Sequence, residues 1–387
     1  MPHLLKELKS FWTFYKRTSS SDRRIVFYAE DIASYSYYEG LIRQLTDKEN
    51  QKICYITSDL NDPLLIEDRF NLKAFYIKSL LSLFTLTLNS EILIMTMPDL
   101  HQFHIRRSEF GTHHIYMFHN IGNSFPVIRY GALFHYDTIF SVGQHHDQEI
   151  RHQEELYNLP QKNLIKFGYF RLEKIYRDYR QYISKGVNES DFKANILLGP
   201  TWGDDSILNT CGYELIKILL DNKYRVIMRP HPVTLEKSPE VLDGLNANFG
   251  HRENYVIAND ISKYESIFES DLLISDWSGF VYEYAFGTER PILFIDVPQK
   301  IVNKRYKEVK IDPIDVSIRD KIGTVISPYE LDKLDAAIGT LLSNKDNFVK
   351  EIEKARDQYI YNFGTSSESG AKYIMDYLIK GNSEKNS

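Results

Sequence analysis

The chain has 387 residues, 43% hydrophobic and 26% charged, which is long enough for two domains with cores of their own. A formal net charge of −6 argues against a general nucleic-acid binder, which must neutralise phosphates. The two cysteines, Cys54 and Cys211, each sit in an apolar pattern, so free thiols in a reducing cytoplasm are expected rather than a disulfide framework.

No secretory signal is expected at Met1, and no apolar run reaches the roughly 18 residues of a membrane span. Residues 3–17 are different. Leu4, Leu5, Leu8, Phe11, Trp12 and Tyr15 fall near helical spacing, with Lys6, Lys9, Lys16 and Arg17 around them. This pattern predicts an amphipathic helix, either lying on an anionic membrane through Leu4 to Arg17 or packed on its own domain. After a polar break at residues 18–22, apolar runs at 24–29, 52–58, 91–96, 114–119 and 137–143 read as buried strands. Residues 36–45 and 144–157 read as helices. Short apolar runs separated by helical segments predict a parallel sheet covered on both faces.

Residues 177–194 are polar, and then the alternation restarts. Strands are expected at 195–199, 225–229, 254–258, 271–275 and 291–295. The predicted architecture is α/β and GT-B-like: two doubly wound, Rossmann-like domains facing a cleft, residues 1–188 on the acceptor side and 189–387 on the nucleotide-donor side. There is no internal repeat.

Ligands of such sheets bind outside the carboxyl ends of the strands, so the residues just after each strand carry the information. Ser275, Asp276, Ser278 and Gly279 open a helix after the strand at 271–275. Asp276 or Ser278 can cap it, while the unpaired N–H groups, the helix dipole and a glycine suit a phosphate. Glu283, one turn further, can accept two ribose hydroxyls or serve as a favourable charge at a helix start. Thr201 follows the strand at 195–199. Arg229 and His231 lie in an Arg-Pro-His-Pro segment whose prolines restrict the backbone, fit either to hold a diphosphate or to make a structural turn. In the first half, His119 can remove a proton from a hydroxyl nucleophile, with Asn120 beside it. Glu30, Asp31 and Asp99 are carboxylates at strand ends that can orient an acceptor or act on it. Nine of the twelve histidines lie between His101 and His152, but their spacing matches no metal-ligand pattern, so neither a metal nor another cofactor is expected.

Taken in order, these segments resemble the CDP-glycerol glycerophosphotransferase family, the teichoic-acid polymerases and primases. Phe118-His119-Asn120-Ile121-Gly122 stands where that family commonly has Trp-His-Gly-Thr and then Pro. Gly168-Tyr169-Phe170-Arg171 matches a Gly-x-Pro-Arg-like turn, and Pro200-Thr201-Trp202-Gly203-Asp204 a Pro-Thr-Trp-Arg-Asp motif. Arg229-Pro230-His231 matches Arg-x-His. Ser275 to Gly279, with Glu283-Tyr284 and Pro291 to Phe294, matches Ser/Thr-Asp-Tyr-Ser-Ser and its downstream Asp-Tyr and Pro-Ile-x-Phe. The resemblance covers roughly residues 110 to 330. It implies a GT-B-type fold, a CDP-activated donor held mainly by the second domain, and no catalytic metal. It also implies His119 as the acceptor base, His231 and Ser278 on the diphosphate, and Glu283 near the ribose. Gly203, Gly279 and Glu283 depart from the family's Arg, Ser and Asp, which points to an altered donor or acceptor.

The expected activity is transfer of a polyol phosphate to a hydroxyl of a surface polymer or its membrane-linked precursor. Cytoplasmic placement, peripheral to the membrane, follows from that reading. The rival readings are a GT-B glycosyltransferase or epimerase using a nucleotide sugar, and a non-catalytic nucleotide or polysaccharide binder.

Overall fold

The computed structural model describes residues 2–385, apart from 68, 187–190, 259 and 261–262. The expected domain boundary at 188 lies outside the described residues. Two all-parallel sheets form the frame. The first contains β1 (Ile25–Ala29), β2 (Ile53–Thr57), β3 (Leu72–Tyr76), β4 (Ile92–Met95), β5 (His113–Met117), β6 (Thr138–Ser141) and β7 (Asn163–Lys166), in the order β3-β2-β1-β4-β5-β6-β7. The second contains β8 (Asn195–Leu198), β9 (Arg225–Met228), β10 (Tyr255–Ile257), β11 (Leu272–Ser275), β12 (Ile292–Ile295) and β13 (Gly323–Ile326), in the order β10-β9-β8-β11-β12-β13. Both follow the same doubly wound sequence, reversing direction between their first and fourth strands, where such folds open a ligand crevice. Register places Ile25 between Ile53 and Ile92, and Leu198 between Met228 and Ile274.

Ten of these strands were legible as apolar runs. The other three, β3, β7 and β13, are all edge strands. An edge strand is paired on one side only, so it can carry polar or exposed residues (Lys73 in β3, Asn163 and Lys166 in β7) where a central strand cannot.

Seven helices matter for the site: α1 (Pro2–Trp12), α2 (Tyr35–Arg43), α3 (Gln144–Leu156), α4 (Phe170–Ser184), α5 (Pro232–Lys237), α6 (Phe280–Thr288) and α7 (Ser366–Lys385). Helix α4 leaves the first sheet and packs along α6 of the second. Gly287 permits that approach, because a Cβ there would stand 2.5 Å from Ile175 Cγ2. Leu172, Ile175 and Tyr179 of α4 share one buried cluster with Val281, Tyr284, Ala285 and Phe286 of α6, so the apolar core is continuous between the two halves. Helix α7, expected with the second half, packs on the first instead. Ala371, Ile374 and Leu378 are buried with Tyr38, Leu41 and Leu45, and the chain thus crosses between the halves twice.

Helix α1 also sits on the first sheet's side, by an unexpected face. Glu7 is 1% exposed and accepts from the backbone N–H groups of Lys78 and Leu80, each at 2.6 Å. Phe14, just beyond α1, is buried against Phe75 and Phe84. Leu4, Leu5, Leu8 and Trp12 are 47–68% exposed, so most of the apolar stripe points outward.

Candidate active site

The strand ends of the two sheets bring His119 and Asn120 against the start of α6. Gly279, its N-cap residue, has no room for a side chain: a Cβ would lie 2.4 Å from Asn120 Oδ1. The same Oδ1 accepts from Gly122 N–H at 3.1 Å, which fixes the amide and leaves its Nδ2 without a partner among the described residues. The two departures from the family pattern are therefore complementary. A larger residue at 120 fills the space that a larger residue at 279 would need.

His119 follows β5 and is desolvated by its surroundings. Burial holds its pKa below the ordinary imidazole value, partly offset by the Thr96 backbone and the Asp31 charge. The ring is therefore neutral at pH 7, and its Nδ1 has no hydrogen-bond partner among the described residues. Such an imidazole has the vacant lone pair that a base requires. Its loop is braced from below. His145 Nε2 lies 2.6 Å from Ile121 O, and His146 Nε2 2.9 Å from Gly122 O. A carbonyl only accepts, so both rings carry their proton on Nε2. Asn123 N–H donates to Asp315 at 2.9 Å, and Tyr282 OH donates to the same carboxylate at 2.6 Å. Asn123 Nδ2 and the Ser124 hydroxyl donate to Glu149, whose pKa burial raises to about 7. His145 and His146 are thus loop support. Among the described residues no group of three or more His, Cys, Asp or Glu side chains is arranged to hold a metal ion.

Glu283 is 8% exposed and engaged from the opposite half. Arg171 Nε donates to Oε1 at 3.0 Å. The Tyr169 hydroxyl lies 3.0 Å from the same oxygen and 2.9 Å from the His119 carbonyl. The carboxylate expected near a ribose is here a tie between α6, the start of α4 and the His119 loop. Arg171 and Tyr169 were visible only as a turn motif, since nothing local in sequence pairs them with residue 283.

The remaining donor-side residues divide into two groups. Ser275 and Asp276 are buried and occupied. Ser275 Oγ donates to Gly199 O at 2.6 Å, and Asp276 accepts from Thr201 N–H at 2.7 Å and Ile207 N–H at 3.0 Å. Asp276 caps no helix; it holds the loop after β8. Ser278 and His231 keep bonding capacity at the strand ends. Ser278 Oγ makes only a long contact with Phe280 N–H, at 3.4 Å. Arg229, 7% exposed, donates to Lys263 O and Ser266 Oγ, and its pKa falls to about 10 through burial and the nearby Arg171. His231 Nδ1 accepts from Val233 N–H at 3.1 Å, capping α5. Burial, then Lys300, pushes its pKa to about 4, so the ring is neutral with its proton on Nε2, a fixed donor.

On the acceptor side, Glu30 and Asp31 line a cavity of about 420 Å³ with His3, Asp59, Tyr76 and Lys78. Burial and the Asp31 charge raise the pKa of Glu30. Asp31 Oδ1 accepts from Ser34 N–H and Oγ. Asp99 stands apart in character: Arg129 donates to it at 2.7 Å, which suits a structural charge.

Comparisons with known proteins show the family and the fold. The family model for CDP-glycerol:poly(glycerophosphate) glycerophosphotransferase matches residues 73–312. The chain is similar to teichoic acid ribitol-phosphate polymerase TarK of Staphylococcus aureus (strain NCTC 8325 / PS 47), at 26% identity over 239 residues, 59% of this chain and 44% of the relative. TarL of the same organism is 27% identical over 171 residues, 42% of this chain and 30% of the relative. The matched region thus takes up less than half the length of either relative. Among solved structures, the wall teichoic acid polymerase TagF with CDPG has a TM-score of 0.57 at 14% identity, over 98% of each chain. A Staphylococcus aureus MnaA–UDP structure has a TM-score of 0.58 at 11% identity, over 92% and 96%. At such identities these two share the fold.

Proposed function

The chain belongs to the CDP-glycerol:poly(glycerophosphate) glycerophosphotransferase family, and on that premise we propose that it moves a polyol phosphate from a CDP-activated donor to a hydroxyl of a surface polymer. His119 takes the proton from the acceptor hydroxyl. The oxygen attacks the β-phosphorus in line, the new P–O bond forms, and the bond to the bridging oxygen breaks. CMP leaves with that electron pair. Charge gathering on the phosphate oxygens meets His231 Nε2–H, the Ser278 hydroxyl, Arg229 and the N–H groups at the start of α6. No step requires a metal. The halves hold donor and acceptor in one orientation, which lowers the entropic part of the barrier.

One observation supports this reading: Asn120, next to the neutral His119, lies against Gly279 at the start of α6. The test is nucleotide release from a panel of donors. CMP from CDP-glycerol or CDP-ribitol is expected. UDP release from a UDP-sugar, epimerisation without acceptor, or binding without turnover would replace this reading with one of its rivals.

We also propose that the chain works on the cytoplasmic face of a membrane, reached through Leu4, Leu5, Leu8 and Trp12. No helix among the described residues is long and apolar enough to cross a membrane. The exposed stripe beside Lys9, Lys16 and Arg17 suits an anionic interface, and His3 at the rim of the acidic cavity would bring a membrane-linked acceptor to Glu30 and Asp31. Flotation with anionic vesicles tests it: wild type floats, and Leu5→Glu/Trp12→Glu stays in the dense fraction.

A further inference from the structure

Lys300 lies in the segment after β12, and no motif singles it out. Its ammonium stands 2.5 Å from the centroid of the Trp202 ring. Its Nζ is buried and has no hydrogen-bond acceptor among the described residues. Lys237 lies over the same ring at 5.7 Å, and the His231 ring is 6.2 Å away. Burial and the charge of Lys237 lower the Lys300 pKa to about 8. Two ammonium groups and the capping histidine of α5 therefore gather around one indole.

An ammonium has three donors and is strongly hydrated in water, so burying it with none of them used is unfavourable. The indole face offsets part of that cost. The rest calls for an anion. Gly203 supplies a second observation. Its φ is +109°, a backbone conformation that L side chains rarely adopt, and a Cβ there would have Lys300 Nζ as its one neighbour within 4 Å, at 3.9 Å. That turn leaves open space which Lys300 reaches from another part of the chain.

We propose that Lys300 is a ligand of the donor's diphosphate, bracketing it together with His231 Nε2–H. The inference rests on the transferase reading above and deepens its donor site. The diphosphate takes the hydrogen bonds that the buried ammonium lacks, and Trp202 forms the floor that keeps the side chain extended. A charge delivered from the β12 loop in place of one at position 203 is a feature of this chain's own geometry.

Calorimetry on the full chain tests it with wild type, Lys300→Met, Lys300→Gln and Lys300→Arg against CDP, CMP and inorganic pyrophosphate. Loss of one charge-assisted bond is expected to weaken CDP and pyrophosphate by ~10-fold or more in Met and Gln, with a smaller change for CMP and with Arg keeping most of the affinity. The ligand-free Met variant is expected to melt no lower than wild type, because an unpaired buried charge has gone. Wild-type affinity for CDP and pyrophosphate in both Met and Gln would overturn the assignment. So would an equal loss for all three ligands together with a lowered melting temperature. If wild type turns over no CDP-linked donor while Lys300→Met still weakens pyrophosphate, the transferase reading fails and the anion site stands.

Discussion

The two sheets have the same strand order and meet the cleft with different materials. At the strand ends of the second sheet, Ser275 and Asp276 are used up inside the fold, and what faces the gap is a helix start, a neutral capping histidine and buried cations. At the strand ends of the first, Glu30 and Asp31 line a roomy cavity, and His119 Nδ1 has no hydrogen-bond partner among the described residues. A diphosphate is one fixed shape with a dense charge, so rigid donors suit it. A polymer end varies in pose and must lose a proton, so titratable side chains suit it. The contrast that the proposed function draws, between a preformed donor half and an adaptable acceptor half, is open to attack at several points.

The largest expected effect is at His119. His119→Ala should lower kcat by ~10²–10⁴-fold, the range of a positioned base, with donor affinity by calorimetry unchanged. Loss of donor affinity instead would move His119 to the donor half. Next is the tie between the halves. Glu283→Ala leaves Arg171 buried without its partner and should cost about 3 kcal/mol of stability, read from denaturant unfolding. A fully stable variant with weakened CDP binding would make Glu283 a ribose ligand rather than a tie. The Asn120–Gly279 contact comes third. Gly279→Ser alone should lower kcat about tenfold by displacing Asn120, on the scale of a ~1–3 kcal/mol overpacking penalty. Asn120→Gly in the same chain should recover most of the loss, and purely additive effects would show that the two sites do not interact.

The smallest effect is in pH. A depressed His119 pKa means that the neutral base persists into mild acid, so the acid limb of kcat should be centred below the ordinary imidazole range. An acid limb centred at pH 7 or above would mean that the ring is solvated in the working enzyme.

Much of this was readable in the chain because central parallel strands are buried on both faces and must be continuously apolar. Nine central strands announced themselves that way, together with the edge strand β10, and with them the strand ends where His119, Thr201, His231 and Ser278 stand. Edge strands β3, β7 and β13 escaped because one open side relaxes that demand. The residues whose roles changed share a different cause. Asp276 reads as a helix cap, but its partners are 75 and 69 residues away. Glu283 reads as a ribose ligand, but Arg171 is 112 residues before it. The histidines at 145 and 146 resemble a cluster and prove to be two separate props for one loop.

Local pattern alone therefore determined the two parallel sheets and the strand ends that carry the candidate site residues, because burial and turn chemistry act over a few residues. Tertiary structure alone decided which polar groups remain unspent. Helix α7 returning to the first sheet, the apolar stripe of α1 turned outward, the Asn120–Gly279 fit and the ammonium of Lys300 over Trp202 all depend on surfaces meeting across long stretches of the chain. A side chain's availability for chemistry is set by the partners that packing gives it, and those partners are not written beside it in the chain.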